Sequence, residues 1–292
     1  MIPRPRPERF RLRRTMMFMN AQKPGLIKDA YIYGCDSIML DLEDAVAENQ
    51  KDAARFSLYH ALKTIDYGDT EVIVRINGLD TPHWQEDVRV CVAGGADGIR
   101  IAKCESAQDV LTVERAVEAA EEEFGVEKGR TLLMAALESP KGILNAYEIC
   151  AASDRMFGVA ISGGDFRKCM QTVPQPDGVD MLAARGQMLL AARAAGIQCF
   201  DHGVQPTWTH EEGFRAGIGL PGQNAKNGQW GHLALPGKGA LHQPPSRSRF
   251  VHQVFAPTEK EVRQAEKIIR AYREQSAAGV GVFTVDGKMI DI

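Results

Sequence analysis

Long apolar runs and an excess of charge of one sign are both missing from this sequence. No stretch of 18 or more apolar residues occurs, and no apolar segment follows the arginine-rich start, so neither a transmembrane helix nor a signal peptide is expected. Lys and Arg number 35 against 38 Asp and Glu, and the net charge of −3 gives no reason to expect binding to nucleic acid or to a membrane. We therefore expect a cytoplasmic protein.

Several motifs that would define a protein class are also absent. The six cysteines show no C-x-x-C spacing, which argues against a disulfide framework and a structural zinc site and predicts reduced thiols. No G-x-G-x-x-G follows any predicted strand, and neither a Walker motif nor a G-x-S-x-G nucleophile motif is present. The chemistry must therefore come from other residues.

Short apolar runs alternate with longer amphipathic segments, a pattern typical of parallel βα units. Seven runs are predicted strands: residues 14–19, 37–44, 72–77, 98–103, 132–138, 157–165 and 198–201. Predicted helices cover about 45–65, a segment capped by Ser106, 182–195 and 259–276. Seven units with room for an eighth favour an α/β fold of the (β/α)8 TIM-barrel type over a doubly wound sheet, in one domain spanning 1–292.

Two segments depart from this pattern. Residues 1–12 carry prolines and most of the six arginines found up to residue 14, so we predict a flexible basic N-terminal arm, with a solvated tail favoured over a phosphate-binding role. Residues 203–249 hold nine of the 28 glycines, five of the 14 prolines and only two acids. The seventh helix and eighth strand belong there, but no helical stripe is visible, so we expect this β7-α7-β8 region to be aberrant.

Polar residues close most of the predicted strands, and in a barrel the chemistry lies at the carboxyl ends of the strands. These residues are Asp41, Glu43, Asp44, Arg75, Asn77, Arg100, Lys103, Glu138, Asp165 and Asp201. Glu138 and Asp165, with cations on the preceding strands, predict a site for one divalent metal such as Mg²⁺ and one carboxylate-bearing ligand. Arg75 suits that carboxylate as a bidentate partner, and Gly163 and Gly164 leave room for backbone N–H groups to approach the ligand.

Four of these residues also have a purely structural interpretation. Glu138 could cap a helix that opens at Ser139, Asp165 could belong to a turn, and Asp44 could be a helix N-cap. Lys103 could be a strand-end lysine that extends into solvent. The combination of Glu138, Asp165 and Arg75 favours a functional site over these alternatives.

At these residues the chain resembles a known family, through a series of motifs in a fixed order. The motifs are LDLEDAV (40–46), VRING (74–78), GGADGIRIAK (94–103), ESPKGI (138–143), ISGGDFRKCMQT (161–172), ARAAGIQCFD (192–201), HQVFAPTEKEV (252–262) and GVGVFTVDGKMIDI (279–292). Together they resemble the citrate lyase β subunits of the HpcH/HpaI aldolase superfamily, over roughly 13–200 and 251–292. The sequence resembles the family on both sides of 203–249 but not within most of that segment. A pair of compensating reading-frame shifts in the gene would produce this pattern.

The resemblance implies a Mg²⁺-dependent (β/α)8 barrel of the phosphoenolpyruvate/pyruvate type that cleaves citryl thioester to oxaloacetate and acetyl thioester. It implies metal ligands at Glu138 and Asp165, a carboxylate-binding Arg75, and catalytic acids at Glu43 and Asp44. Glu43, acting through a water, is our choice of general base. Lys103, Gly163 and Gly164 complete the predicted substrate-binding residues.

The resemblance also implies partners. These are an acyl carrier protein (γ) and an α subunit, or a CoA thioester as free substrate, with the chain itself forming a homotrimer or another homo-oligomer. Two alternatives stay open: a related lyase that acts on malyl-CoA or citramalyl-CoA, and a non-catalytic scaffold subunit in which the altered eighth unit prevents turnover. The family usually has proline before the strand-four lysine, where this chain has Ala102.

Overall fold

A computed structural model of the chain describes residues 5–173, 175, 178–201, 230–234, 252, 256–277 and 282–291. Its main sheet has eight strands: β1 (Thr15–Asn20), β2 (Ser37–Asp41), β3 (Glu71–Arg75), β4 (Gly98–Ile101), β5 (Leu132–Leu137), β6 (Met156–Ile161), β7 (Gln198–Asp201) and β8 (Trp230–Ala234). Each strand pairs in parallel with the next along the chain. The predicted α/β fold with a curled parallel sheet is therefore confirmed.

Helices occupy most connections between the strands, as the alternating pattern predicted. They are α1 (Pro24–Ile27), α2 (Lys51–Thr64), α3 (Trp84–Gly94), α4 (Ala107–Glu123), α5 (Pro140–Leu144), α6 (Ala146–Cys150), α7 (Gly163–Met170), α8 (Val179–Ala194) and α9 (Glu259–Ala277). Ser106 begins α4 with a full capping box, in which its side chain accepts the N–H of Asp109 while the Asp109 carboxylate accepts the N–H of Ser106. No helix in the described ranges is long and apolar enough to span a membrane.

The segment 203–249 contains a strand that its composition did not predict. Residues 230–234 form β8, which pairs in parallel with residues 199–201 of β7 and with residues 15–17 of β1. Parallel pairing uses backbone N–H and C=O groups, so it does not require the side chains typical of the family. The remainder of the aberrant segment lies outside the described residues.

Buried apolar side chains form two clusters on the two faces of the sheet. The larger cluster packs the sheet against the helices and includes Ile38, Leu40, Val72 and Val74. The smaller one contains Met16, Phe18, Met39, Ile73, Leu132, Met134, Phe157, Ala160 and Phe200. Successive residues of a strand point to opposite faces, so nearly continuous apolar runs are what a sheet buried on both faces requires.

Gly158 of β6 lies where the interior cluster has no space for a side chain. A Cβ atom there would come within 2.4 Å of Cε2 of Phe200 and 3.3 Å of the Gln198 carbonyl oxygen. We expect Gly158→Ala to lower the free energy of unfolding by about 1–3 kcal/mol, because the buried Phe200 ring must leave its position. Urea unfolding checks this, and Gly164→Ala, where a Cβ meets no atom within 4 Å, is the control. Equal loss in both variants would contradict the packing argument.

The described part of the N-terminal arm lies against the amino ends of the strands. Arg9 Nε donates to the carbonyl oxygen of Met156 at 2.8 Å, Arg11 Nη2 to that of Asp69 at 2.9 Å, and Arg6 pairs with Glu127. This arrangement differs from the solvated tail that the composition favoured. Arginines of the arm donate hydrogen bonds to carbonyl groups near the strand ends, and these bonds could not be predicted from the sequence.

Arg13 anchors the end of this arm inside the protein. Its Nε and Nη2 atoms donate to the two carboxylate oxygens of Glu71 at 2.7 and 2.6 Å, and Nη1 donates to Gln198 Oε1 at 2.5 Å. The guanidinium also lies 4.2 Å from the centre of the Phe157 ring. Both side chains of the Arg13–Glu71 pair are fully buried, so one arginine connects the arm, β3 and β7.

The carboxyl-terminal part consists of α9 and a hairpin of β9 (Val282–Val285) and β10 (Lys288–Asp291). Helix α9 carries the apolar stripe that the sequence predicted, but none of its residues is buried. Val262, Ile269 and Tyr272 are 40–49% exposed. The helix itself is confirmed, and its apolar stripe is not covered by the described part of the chain.

Candidate active site

Arg75, at the end of β3, is fixed by two acids from the end of β2. Its Nε and Nη2 atoms donate to the two carboxylate oxygens of Asp41 at 2.7 and 2.6 Å, and Nη1 lies 2.7 Å from Glu43 Oε2. Burial opposes the charge on both partners of the Arg75–Asp41 pair. Their attraction nevertheless raises the pKa of Arg75 and lowers the pKa of Asp41 from their ordinary values.

The turn after β2 holds Glu43 in this position. Asp41 accepts the backbone N–H groups of Glu43 and Ala45 at 3.0 and 3.3 Å, and Lys51 Nζ donates to the carbonyl oxygens of Leu42 and Glu43 at 2.8 and 2.9 Å. The sequence did not reveal these roles of Asp41 and Lys51, because both depend on the folded turn.

Lys103 and Asp44 border the same group of charges. Lys103 Nζ lies 3.0 Å from Glu43 Oε1, and hydrogen bonding to Glu43 raises the pKa of this lysine. Its backbone has a φ of 50°, a left-handed conformation that is uncommon for a residue with a side chain. Asp44 is more exposed, and its carboxylate lies 3.9 Å from Arg75 Nη1. Lys103 is thus part of the charge cluster and does not simply extend into solvent.

Glu138, directly after β5, is a buried carboxylate that has no hydrogen-bond partner for either oxygen within the described ranges. Burial raises its pKa to about 7, and the negative charges of Glu43 and Asp165 act in the same direction, against Arg100 and Arg75. Ser139, whose Oγ accepts the N–H of Gly142 at 3.2 Å, caps α5. The capping role considered for Glu138 is therefore wrong, because the next residue performs it.

Asp165, Gly163 and Gly164 lie in the first turn of α7, directly after β6. Backbone N–H groups of a first helical turn have no partner inside the helix. Gly164 is exposed and has no side chain to cover its N–H group, whereas Gly163 is buried. A Cβ at Gly164 would meet no atom of the described residues within 4 Å, so packing among those residues does not require a glycine there.

The donor set fits a hard divalent cation. The described residues hold no group of three or more His, Cys, Asp or Glu side chains placed to bind a metal. Mg²⁺ needs only one or two protein carboxylates when substrate oxygens and water complete its shell. A buried carboxylate with two unpartnered oxygens and acidic neighbours, as at Glu138, is the environment that such a cation would stabilise.

A cleft of about 970 Å³ opens above these residues, at the carboxyl ends of the strands. Asp44, Lys103, Glu138 and Asp165 line it, whereas Arg75 and Glu43 are buried beside it. Cys169, on α7, also lines the cleft and is exposed, while the other five cysteines are buried and all six are free thiols. The structure thus brings the predicted acids, Arg75 and Lys103 together at one end of the sheet.

Arg100 is the residue of this site whose importance the sequence did not reveal. It lies on β4 opposite Arg75 and Met134 of the neighbouring strands, and both guanidinium groups contact the Phe18 ring, at 5.2 Å for Arg100 and 5.3 Å for Arg75. The Arg100 side chain is fully buried, and its Nε and Nη1 atoms have no hydrogen-bond partner in the described part of the chain. In the sequence, the one feature that could have indicated this role was an arginine inside the largely apolar run GIRIAK.

Comparison with known proteins gives consistent matches over this fold and site. The citrate lyase subunit beta of Leuconostoc mesenteroides subsp. cremoris is 46% identical over 96% of this chain and 89% of the relative. A (3S)-malyl-CoA thioesterase of Cereibacter sphaeroides is 34% identical over 95% of this chain and 89% of the relative.

A solved structure is also similar. The CitE protein of Mycobacterium tuberculosis, in complex with magnesium, acetoacetate and coenzyme A, superimposes with a TM-score of 0.72 at 25% identity, over 96% of this chain and 93% of that protein. The model of the family described as HpcH/HpaI aldolase/citrate lyase matches residues 14–228. This chain therefore belongs to the HpcH/HpaI aldolase/citrate lyase family.

Proposed function

We propose that this chain is a Mg²⁺-dependent carbon–carbon lyase that cleaves citryl thioester to oxaloacetate and acetyl thioester, as the β subunit of citrate lyase. The observation that carries the proposal is Glu138, a buried carboxylate with both oxygens unpartnered in the described residues, beside two arginines. A chain that is 46% identical to a citrate lyase subunit beta supports the choice of substrate.

Glu138 and Asp165 would hold the metal ion at the floor of the cleft. Mg²⁺ supplies Lewis-acid stabilisation of negative charge on a substrate oxygen when it is bound. Arg75 orients the oxaloacetate half of the substrate through its carboxylate, while Asp41 fixes the guanidinium. Lys103, at the cleft surface, and the backbone N–H groups at Gly163 and Gly164 bind the remaining polar groups of the substrate.

Glu43 and Asp44 supply the acid–base chemistry in this proposal. Glu43, through a water, takes the proton of the tertiary hydroxyl group. The bond from the carbinol carbon to the methylene next to the thioester then breaks, the hydroxyl oxygen becomes the keto group of oxaloacetate, and the electron pair stays with the acetyl thioester as an enolate. The proton that Glu43 took returns, through the water, to the carbon of that enolate, which completes the products. Arg75 and Lys103, at 2.7 and 3.0 Å from Glu43, keep its carboxylate oriented.

The fold and assembly belong to the same proposal. We propose a complete single-domain (β/α)8 barrel of the phosphoenolpyruvate/pyruvate type, supported by the pairing of β8 with both β7 and β1. An acyl carrier protein (γ) and an α subunit are the proposed partners, with a CoA thioester as the free substrate, in the cytoplasm. Association of copies, as a homotrimer or another homo-oligomer, would cover the exposed stripe of α9, to which Val262, Ile269 and Tyr272 contribute.

The test is release of oxaloacetate from citryl-CoA, followed by coupling to malate dehydrogenase. We expect release with Mg²⁺ and none with EDTA, and restoration when Mg²⁺ is added back in excess. No release from a folded protein that binds Mg²⁺ would contradict the proposal and favour the alternative of a scaffold subunit without turnover.

A second substrate is favoured by the relative that is a (3S)-malyl-CoA thioesterase. Malyl-CoA contains the same 3-hydroxy-acyl thioester with one free carboxylate fewer than citryl-CoA. Direct product analysis separates the cases, because cleavage of malyl-CoA gives glyoxylate and acetyl-CoA, whereas hydrolysis gives malate and free CoA. A kcat/KM for malyl-CoA or citramalyl-CoA above that for citryl-CoA would replace the proposed substrate.

A further inference from the structure

The unpartnered state of Arg100 distinguishes it from other buried arginines of this protein. Arg13 lies 2.6 Å from Glu71, Arg55 lies 2.9 Å from Asp87 and Arg155 lies 2.7 Å from Glu121. Arg100 has no such carboxylate among the residues that the structure describes, although it is the most deeply buried of these arginines, at 1% exposed. A buried charge without a partner opposes folding, so an arginine retained in this state indicates a partner beyond the described residues, such as a bound anion.

The charge of Arg100 lies within the candidate site. Burial and the positive charge of Arg75 lower the pKa of Arg100 to about 10, whereas the negative charge of Glu138 acts to raise it. Neither Glu138 oxygen forms a hydrogen bond with Arg100, so the cluster contains a cation and an anion that both lack partners among the described residues. A ligand that brings a metal ion to Glu138 and a carboxylate to Arg100 would satisfy both groups.

Arg75 is less available for a ligand than Arg100. Asp41 occupies the Nε and Nη2 edge of Arg75, the edge that would bind a carboxylate in bidentate fashion, and Glu43 is at Nη1. The remaining N–H groups of Arg75 can contact one oxygen of a ligand. Arg100 instead keeps the N–H groups of Nε and Nη1 free, so the site offers two guanidinium groups to an anion, and the one with more free donors is Arg100.

We propose that Arg100 binds a second carboxylate of the substrate and thereby selects a dicarboxylate 2-oxo acid half over a monocarboxylate one. This inference deepens the proposed function. Citryl thioester carries two free carboxylates, and both remain in the oxaloacetate that leaves. Malyl thioester carries one, which remains in glyoxylate. Two neighbouring guanidinium groups, on β3 and β4, match the former ligand, since each carboxylate can then accept N–H groups from one arginine.

Arg100→Met in the full chain tests this by equilibrium binding. Calorimetry with Mg²⁺ present would compare oxaloacetate with glyoxylate. We expect the affinity for oxaloacetate to fall about 10- to 100-fold, the loss of charge-assisted hydrogen bonds to one carboxylate, and the affinity for glyoxylate to change less than about twofold. Arg100→Lys, which keeps the charge, should restore part of the oxaloacetate affinity. An equal loss for both ligands, or no loss for either, would overturn the proposal.

The thermal stability of the ligand-free variants distinguishes a ligand-binding role of Arg100 from a structural one. Removal of an unpartnered buried charge should leave the melting temperature of the ligand-free Arg100→Met protein unchanged or raised, whereas Arg13→Met, which removes a paired arginine, should lower it. A similar loss in both variants would assign Arg100 a structural role. The binding test and the test of the proposed function can fail separately. If the wild-type protein binds oxaloacetate through Arg100 but does not cleave citryl-CoA, the lyase proposal is wrong and the proposed role of Arg100 is retained.

Discussion

Glu138→Gln should lower Mg²⁺-dependent release of oxaloacetate from citryl-CoA by about 10²- to 10³-fold. The substitution removes one of the two carboxylates proposed to hold the ion, whose charge stabilisation in the transition state is worth several kcal/mol. The amide has nearly the shape of the carboxyl group, so the fold should be retained. Steady-state kinetics across a range of Mg²⁺ concentrations would show both the loss of rate and the weaker response to the ion.

The same substitution should change how the stability of the metal-free protein depends on pH. Burial raises the pKa of Glu138 from 4.5 to about 7. Between these values the folded chain keeps a proton that the unfolded chain has lost, so the Glu138 contribution makes stability fall as pH rises through this window. Urea unfolding in EDTA should show this fall in the wild type and a smaller one in Glu138→Gln.

Glu148→Gln is the matched control for both measurements, since Glu148 is an exposed glutamate on α6. We expect it to retain full activity and the wild-type pH dependence. Unchanged Mg²⁺-dependent activity in Glu138→Gln would remove Glu138 from the proposed metal site.

Arg13→Met should lower the free energy of unfolding by about 3–5 kcal/mol, the cost of breaking a buried ion pair from one side. Among the described residues, the Glu71 carboxylate would lose both bonds from Arg13 and keep the one from the Ser37 hydroxyl, at 2.7 Å. The Oε1 atom of Gln198 would also lose the hydrogen bond that it accepts from Arg13. Urea unfolding followed by circular dichroism measures the difference.

Arg6→Met provides the comparison within the same arm. Arg6 pairs with Glu127, but both side chains are more than half exposed, and exposed pairs contribute about 0–1 kcal/mol. A loss of less than about 1 kcal/mol in Arg13→Met would mean that the buried pair does not hold the arm to the sheet.

The fold followed from the alternation of apolar runs and helical stripes, but the ends of the elements did not. The strand predicted over 37–44 ends at Asp41, because the Asp41 carboxylate binds backbone N–H groups and Lys51 binds carbonyl groups of the turn that follows. The run predicted over 157–165 divides into β6 and the start of α7 at Ser162. Such bonds between side chains and the backbone depend on the folded turn, and they leave no periodic pattern of apolar residues in the sequence.

Position at strand ends was sufficient to predict that Glu138, Asp165, Arg75 and Lys103 lie close together, because parallel strands bring their carboxyl ends to one edge. It did not reveal how the charges are divided among them. In the sequence, Asp41 was one of three acids at the end of the second predicted strand, and Arg100 was one of several cations at strand ends. Only the folded structure shows that Asp41 occupies one edge of Arg75, while Arg100 has no carboxylate partner among the described residues.

The distribution of the thiols has a practical consequence. Five of the six cysteines are buried, and burial raises the pKa of the Cys91, Cys104, Cys150 and Cys199 thiols, which keeps them protonated and unreactive. Cys169 alone is exposed, and it lines the cleft. A maleimide fluorophore would thus attach at a single position in the native protein and report on occupancy of the cleft, without any cysteine having to be engineered in or out.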